Sequence, residues 1–154
     1  MQHAINAREK KIETYLVRLK EKDVPEDVAS DLCRFGAISV CGHLEQCVQI
    51  IILERLSPRA HHRVINFVKS YFKKGQNMKC SEIVALLERF DTTWCSKLKV
   101  FLEENNDVTS AVESLYAIRN PLAHGTSGSI GDNNLKQYFE LIKKLTKAMI
   151  QATS

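Results

Sequence analysis

The residues with the clearest chemical potential lie in one short run, 116–125, where a permanent cation and a titratable imidazole stand five positions apart. Arg119 keeps its proton in proteins, and its planar fork of donors matches the geometry of a phosphate group. A histidine side chain has an unperturbed pKa of about 6.5, so His124 can give or take a proton near neutrality. A phosphate-binding group beside a proton shuttle is the minimum equipment for cleaving RNA without a metal ion.

An amphipathic helix over residues 110–124 is predicted to position this run. Its aliphatic face, which we expect to be buried, consists of Ala111, Leu115, Ile118 and Leu122. The face that the helix is expected to present carries Tyr116, Asn120 and His124, with Arg119 at the edge between the two faces. Pro121 removes a backbone N–H and clashes with the carbonyl one turn earlier. The helix is therefore expected either to kink there or to end, with Asn120 capping a new short turn.

The rest of the chain predicts further helices, and no strand longer than an ambiguous apolar run at 48–53. Glycine (6) and proline (3) are scarce, which favours an all-α fold over a turn-rich β fold. Gly36 and Gly42 interrupt the long second helix and suggest close packing of another helix there. The predicted helices span residues 5–21, 26–56, 59–73, 81–90 and 92–104, with a last helix from Asp132 or Asn133 to about 151. The first of them carries one apolar stripe of Ile5, Ile12, Leu16 and Leu19.

Short-range signals set the predicted helix ends. Pro25 is placed as the first residue of the long helix, after a break at 22–24. Ser57 followed by Pro58 reads as the N-cap of the third helix, and Asp91 as the N-cap of the fifth. Gly75 follows two lysines, which predicts a left-handed cap at the end of the third helix. A turn is expected at 105–107 and a flexible loop at 125–131.

Composition bounds the class of protein. A length of 154 residues predicts one domain, 1–154, and a net charge of +4 permits nucleic-acid binding without requiring it. The five cysteines form an odd set without a CxxC pair, which indicates buried free thiols in a reducing cytoplasm and no metal site. No cofactor is implied. The N-terminus lacks the apolar core of a signal peptide, and the run 48–53 is far short of the ~20 residues that span a bilayer, so we expect a cytoplasmic protein without membrane contact.

A family resemblance adds to these observations. The pattern Arg119, Asn120, three residues, His124 and Gly125 resembles the Arg-x4-His signature of the HEPN superfamily, all-α proteins of which many are metal-independent endoribonucleases. The long helix with Glu45 near its middle resembles the second helix of the RiboL-PSP type of HEPN domain. A small-residue loop and a terminal helix follow the motif in the same order as in that group. The resemblance therefore implies a single HEPN-like helical bundle with one long central helix and several shorter ones.

The resemblance also implies an activity and a partner. In the family, two copies of the motif face each other in a homodimer, so that one cleft holds two arginines and two histidines. The implied reaction cleaves single-stranded RNA through its own 2′-hydroxyl and leaves a 2′,3′-cyclic phosphate and a 5′-hydroxyl. Arg119 and His124 would be catalytic, with Asn120, Glu45 and Tyr116 in supporting roles. A toxin or anti-phage defence role, with an antitoxin or regulatory protein as a further partner, is implied as well. Family toxins that are controlled by nucleotidyl transfer carry a tyrosine two positions after the histidine; Thr126 stands there in this chain, so we do not expect that regulation.

Three basic residues outside the motif are candidates for RNA contacts: Arg59, Arg63 and Lys143. The first two lie in the first turn of the predicted third helix, where the helix dipole disfavours positive charge, so a phosphate contact would explain them. Lys143 belongs to a lysine stripe on the last helix that could follow an RNA backbone. Each of the three can instead be a solvated surface charge, as such residues usually are.

Simpler interpretations of the motif stay open. His124 can be a helix-terminal histidine that the dipole stabilises before a capping glycine. Arg119 can be a surface residue that pairs with Glu113 or a neighbouring acid, and Glu45 can be a solvated helix residue. The corresponding alternative function is a non-catalytic HEPN-type module that binds RNA, a nucleotide or a protein partner. A third is a helical interaction domain with no role in nucleic-acid chemistry.

Overall fold

Helices form most of the structure, a computed structural model that describes residues 1–19, 25–122 and 130–154. No strand occurs in these ranges, so the predicted all-α fold is confirmed. A short 3-10 turn, Phe72–Lys74, follows the third helix. The described residues form seven α-helices: α1 (Gln2–Arg18), α2 (Glu26–Leu56), α3 (His62–Tyr71), α4 (Cys80–Glu88), α5 (Thr92–Glu104), α6 (Asn106–Leu122) and α7 (Asp132–Ala152).

The 31-residue helix α2 is the centre of the bundle, as the sequence predicted. It contacts α1, α3, α6 and α7, and its most extensive contacts are with α6 and α7. By length and composition α2 would also suffice to cross a membrane, but 56% of its most apolar 18-residue window is buried inside the structure. Burial of that kind is expected of a helix that is surrounded by others in a helical core.

The core is one cluster of aliphatic and aromatic side chains contributed by every helix. The stripe predicted on α1 is confirmed, since Ile5, Ile12 and Leu16 are buried against it. All five cysteines are buried free thiols, as their apolar surroundings predicted.

The two helix starts predicted from proline signals need correction. Pro25 precedes α2 with an extended ψ of 146°, so the first helical residue is Glu26. The third helix begins at His62 rather than at 59, and Ser57 is not its N-cap. The backbone N–H of Ser57 donates to the carbonyl of Leu53 instead, which extends α2 into that position. The true cap of α3 is His61, whose ring accepts from the backbone N–H of Arg63 at 3.3 Å.

The remaining caps agree better with the sequence. Asp91 caps α5 by accepting from the backbone N–H groups of Thr93 and Trp94, as predicted. Gly75 has a positive φ of 61°, although its ψ of 131° lies outside the left-handed helical region. The helix α6 starts at Asn106, before the predicted residue 110, because the carbonyl of Asn105 already accepts from the backbone N–H of Val108.

The helix α6 continues through Pro121 to Leu122, so the proposed end of the helix at Asn120 is wrong. His124 and most of the predicted loop at 125–131 fall within 123–129, outside the described residues. The predicted break at 22–24 lies outside them as well.

The two glycines of α2 have different surroundings, and only Gly36 fits the predicted helix interface. A Cβ atom on Gly36 would lie 2.5 Å from Leu135 Cδ2 of α7 and 3.1 Å from Tyr15 Cε1 of α1. A Cβ atom on Gly42 would meet no atom of the described residues within 4 Å. The expected packing at Gly42 is therefore wrong.

This difference predicts opposite effects of alanine substitution. Gly42→Ala is expected to raise the free energy of unfolding by about 0.5–1 kcal/mol, because glycine is unfavourable in a helix interior. Gly36→Ala is expected to lower it by about 1 kcal/mol, since overpacking against the buried Leu135 costs about 1–3 kcal/mol and outweighs the helix-propensity gain. Urea unfolding of both variants measures the two shifts. Equal stability of the variants would contradict the close packing at Gly36.

Candidate active site around Arg119

Arg119 lies near the end of α6, where two elements distant in sequence hold its guanidinium. Its Nη1 atom lies 2.9 Å from Oε1 of Glu45 on α2 and donates to Oδ1 of Asn77 at 2.7 Å. The side chain of Arg119 is 29% exposed and that of Glu45 is 16% exposed. Arg119 does pair with an acid, but that acid is Glu45, because Glu113 pairs with Lys79 at 2.6 Å. Glu45 is therefore a partly buried ion-pair partner and not a solvated helix residue.

Tyr116 lies one turn before Arg119 and is fully buried, so the prediction that α6 presents it is wrong. Its hydroxyl donates to Oε1 of Glu45 at 3.3 Å and accepts from the backbone N–H of Met78 at 2.9 Å. The guanidinium carbon of Arg119 lies 5.6 Å from the centre of the tyrosine ring, within the range of a cation–π contact. Tyr116 is thus a buried positioning residue beneath the arginine.

Three consecutive residues tie the connection between the 3-10 turn and α4 to α6. Asn77 accepts from Arg119, Met78 donates its backbone N–H to Tyr116, and Lys79 pairs with Glu113. The three partners are spaced at i, i+3 and i+6 along one face of α6. We call residues 75–79 the strap. It covers Tyr116, which explains why a residue on the predicted polar face of the helix is buried.

Burial sets the protonation states at the site. It is the largest cause of a raised pKa for the Glu45 carboxyl, which Arg119 and the hydrogen bond from Tyr116 partly offset. Burial also raises the pKa of the Tyr116 hydroxyl, which therefore remains a donor at neutral pH. The neighbouring Cys41 has its pKa raised to about 12, mainly by burial, so its thiol is uncharged. Arg119 and Glu45 thus pair beside the uncharged side chains of Tyr116 and Cys41.

The contacts of Arg119 leave one edge of its guanidinium for a ligand. Both polar contacts use Nη1, and neither Nη2 nor Nε has a hydrogen bond or ion pair with the described part of the chain. An edge with two parallel N–H groups is the geometry that binds a phosphate in a bidentate manner. The arginine is therefore held in one orientation and can still accept an oxyanion.

A comparison with known families identifies the fold around this site. The chain matches the RiboL-PSP-HEPN family over residues 3–154. It belongs to this family. No curated protein and no solved structure matches the chain. Membership confirms the resemblance drawn from the motif and identifies a HEPN-type module; the roles of individual residues rest on their contacts.

The remaining predicted site residues of this HEPN domain either form no polar contact with Arg119 or lie outside the described residues. The side chain of Asn120 and the whole of His124 lie outside it. Arg59 lines a cavity of about 510 Å³ with Trp94 and Lys97, and Arg63 is exposed at the start of α3.

Lys143 is engaged elsewhere on the HEPN domain. Its ammonium lies 3.0 Å from Glu13 of α1 and 2.8 Å from Glu140 of its own helix. These two carboxylates partly neutralise the lysine, which makes it a weaker candidate for an RNA contact than an unpaired cation would be.

Sequence reasoning missed Asn77, because no periodic pattern or motif marks the strap. Its only sequence signal is a polar residue of the turn-forming type between two helices. No three histidine, cysteine or acidic residues in the described ranges are arranged to hold a metal ion.

Proposed function

We propose that this HEPN domain is a metal-independent endoribonuclease that cleaves single-stranded RNA. The observation that carries the proposal is the fixed guanidinium of Arg119, which keeps one edge clear of contacts with the described residues. It lies on the helix that leads to His124, five positions later in the sequence. This arrangement supports Arg119 as the phosphate-binding group and His124 as the proton-transfer group of one site.

The proposed reaction is an internal transesterification. A base removes the proton of the 2′-hydroxyl, and the 2′-oxygen forms a bond to the adjacent phosphorus. The bond from phosphorus to the 5′-oxygen then breaks, and an acid protonates that oxygen as it leaves. Arg119 stabilises the additional negative charge on the phosphorane, while His124 supplies the base and the acid. Asn120 is proposed to orient His124.

A homodimer completes this mechanism, because a single histidine cannot easily act as base and acid in one step. Exposed apolar residues on α2, the helix that carries Glu45, support a dimer, because a second copy of the chain could cover them. Phe35 is 59% exposed and Ile38 is 36% exposed, and both precede Glu45 along one side of α2. Covering them with a second α2 would bring two Arg119 sites close together.

The proposed location is the cytoplasm. Five buried thiols without a disulfide suit a reducing compartment that also contains RNA. A role as a toxin or anti-phage effector, with an antitoxin or regulatory partner, remains a prediction from the family resemblance.

Cleavage of end-labelled single-stranded RNA in excess EDTA tests the proposal. We expect fragments with 2′,3′-cyclic phosphate and 5′-hydroxyl ends, and no cleavage of DNA of the same sequence, which lacks the 2′-hydroxyl. RNA that stays intact but binds, with affinity falling steeply with salt, would favour the non-catalytic module instead. Neither cleavage nor binding would favour a helical interaction domain.

A further inference from the structure

A second polar site lies next to Glu45, on the side of α2 that faces α1. It is a cavity of about 480 Å³ between these helices, lined by Arg8 and Lys11 from α1 and by Gly42, His43 and Glu45 from α2. Glu45 belongs both to this cavity and to the Arg119 site, because its carboxylate pairs with Nη1 of Arg119. The cavity is therefore adjacent to the place where the proposed function puts the scissile phosphate.

The charges of the cavity suit a polyanion. Arg8 and Lys11 stand at i and i+3 on one face of α1, both are exposed, and neither forms an ion pair with a described residue. His43 is buried and its pKa is lowered to about 4, first by burial and then by Arg8, so it is neutral at pH 7. Glu45 is the one acidic residue among the described residues that line the cavity, and it already pairs with Arg119. Arg8 and Lys11 thus have no free acidic partner there.

Gly42 lines the cavity and adds no side chain to it. Glycine is unfavourable within a helix, and packing against the described residues does not require it here, because a Cβ atom would meet none of their atoms within 4 Å. Gly36 of the same helix is different, since α7 and α1 occupy the space beside it. A helical glycine without a packing reason, in the wall of a polar cavity, leaves the α2 backbone open to a ligand.

We propose that this cavity binds the nucleotide adjacent to the scissile phosphate of the RNA substrate. Arg8 and Lys11 contact its backbone phosphates, and its ribose or base enters over Gly42. The inference rests on the proposed function and extends it, because it assigns a substrate-positioning site outside the Arg-x4-His motif.

Two variants of the full chain test the site: the double change Arg8→Gln with Lys11→Gln, and Gly42→Leu, which fills the cavity without a clash at Cβ. A matched control, Arg89→Gln after the end of α4 with Lys99→Gln on α5, removes the same charge at exposed positions elsewhere. The readouts are KM and kcat for single-stranded RNA, and the salt dependence of binding to a 2′-O-methyl RNA that cannot be cleaved. Thermal unfolding and sizing of Gly42→Leu show whether it folds and assembles as wild type does.

We expect the charge variant to raise KM about tenfold and to lower the slope of log K against log salt by up to about 1.4, which corresponds to about 0.7 for each single-strand phosphate contact. Its kcat should change less than about threefold, because substrate binding is lost more than transition-state stabilisation. Gly42→Leu should raise KM similarly with an unfolding temperature at or above that of wild type. The control should leave KM and the slope within about twofold of wild type.

Several outcomes would overturn the inference. If wild type cleaves RNA and both variants keep its KM and salt slope, the cavity is not a subsite, although the proposed function stands. If Gly42→Leu loses cleavage together with its dimer, the cavity holds a second copy of the chain rather than RNA. If wild type cleaves nothing, binding of the 2′-O-methyl RNA decides between two outcomes. Weaker binding by both variants than by wild type would support the cavity as an RNA site and contradict only the proposed catalysis. No binding by wild type would contradict both the RNA site and the proposed function.

Discussion

Replacement of His124 by alanine is expected to lower the rate of RNA cleavage by about 10²–10⁴-fold, the range that general acid–base catalysis contributes. In the proposed dimer the change removes the base and the acid from the same cleft. Binding of uncleavable RNA should change little, because the phosphate contact belongs to Arg119. Single-turnover rates in EDTA measure the loss, and His62→Ala, at the exposed start of α3, is the matched control. Cleavage by His124→Ala at the wild-type rate would remove this histidine from the mechanism.

A mixing experiment separates a shared cleft from two independent sites. Wild type that is mixed with increasing amounts of His124→Ala under conditions of subunit exchange forms mixed dimers with a single histidine in the cleft. Because the proposed step needs one histidine as base and a second as acid, these mixed dimers should be inactive, and cleavage should fall with the square of the wild-type fraction. A linear fall, with exchange shown independently, would contradict a site built from two copies.

Replacement of Arg119 by lysine is the second large expected effect, a loss of about 10²–10³-fold in kcat/KM. Lysine keeps the charge beside Glu45, but its single nitrogen cannot bind Glu45 and Asn77 and also present two parallel donors to a phosphate. The fold should be retained, because a lysine at position 119 can still form an ion pair with the half-buried carboxylate of Glu45. Measuring kcat/KM together with the thermal unfolding temperature distinguishes lost chemistry from lost structure.

Arg55→Lys is the matched control for this substitution. Arg55 also holds two polar partners, Thr153 Oγ1 at 3.3 Å and the carbonyl of Ile150 at 3.1 Å, and it lies on α2 away from the Arg119 contacts. It should leave kcat/KM unchanged. Wild-type activity of Arg119→Lys would show that a point charge suffices and that the fork geometry is not used.

The fold was predictable where a local signal decides the structure. Apolar periodicity placed the stripe of α1 and the full length of α2, and the side chain of Asp91 specified the start of α5. The start of α3 was not predictable in this way. Ser57 and Pro58 have the chemistry of a helix start, but the carbonyl of Leu53 takes the N–H of Ser57 and extends the preceding helix.

The site was predictable only in part, because its contacts join residues that are far apart in the sequence. The motif identified Arg119, and the resemblance pointed to Glu45, but the ion pair joins helices that only the tertiary fold brings together. A helical wheel assigned Tyr116 to a presented face because it contains no information about the strap, which lies 38 positions earlier at Met78. Asn77 carries no pattern at all and is known only from its contact with Arg119.

The strap has a consequence for how the chain tolerates change in length. Residues 75–79 lie outside any helix. Even so, three successive residues of the strap each contact one residue of α6, and these three partners lie about one helical turn apart. One inserted or deleted residue would break this register and move Asn77 away from the guanidinium, even though the motif itself would be intact. The number of residues in this connection therefore matters as much to the surroundings of Arg119 as the identity of the arginine itself.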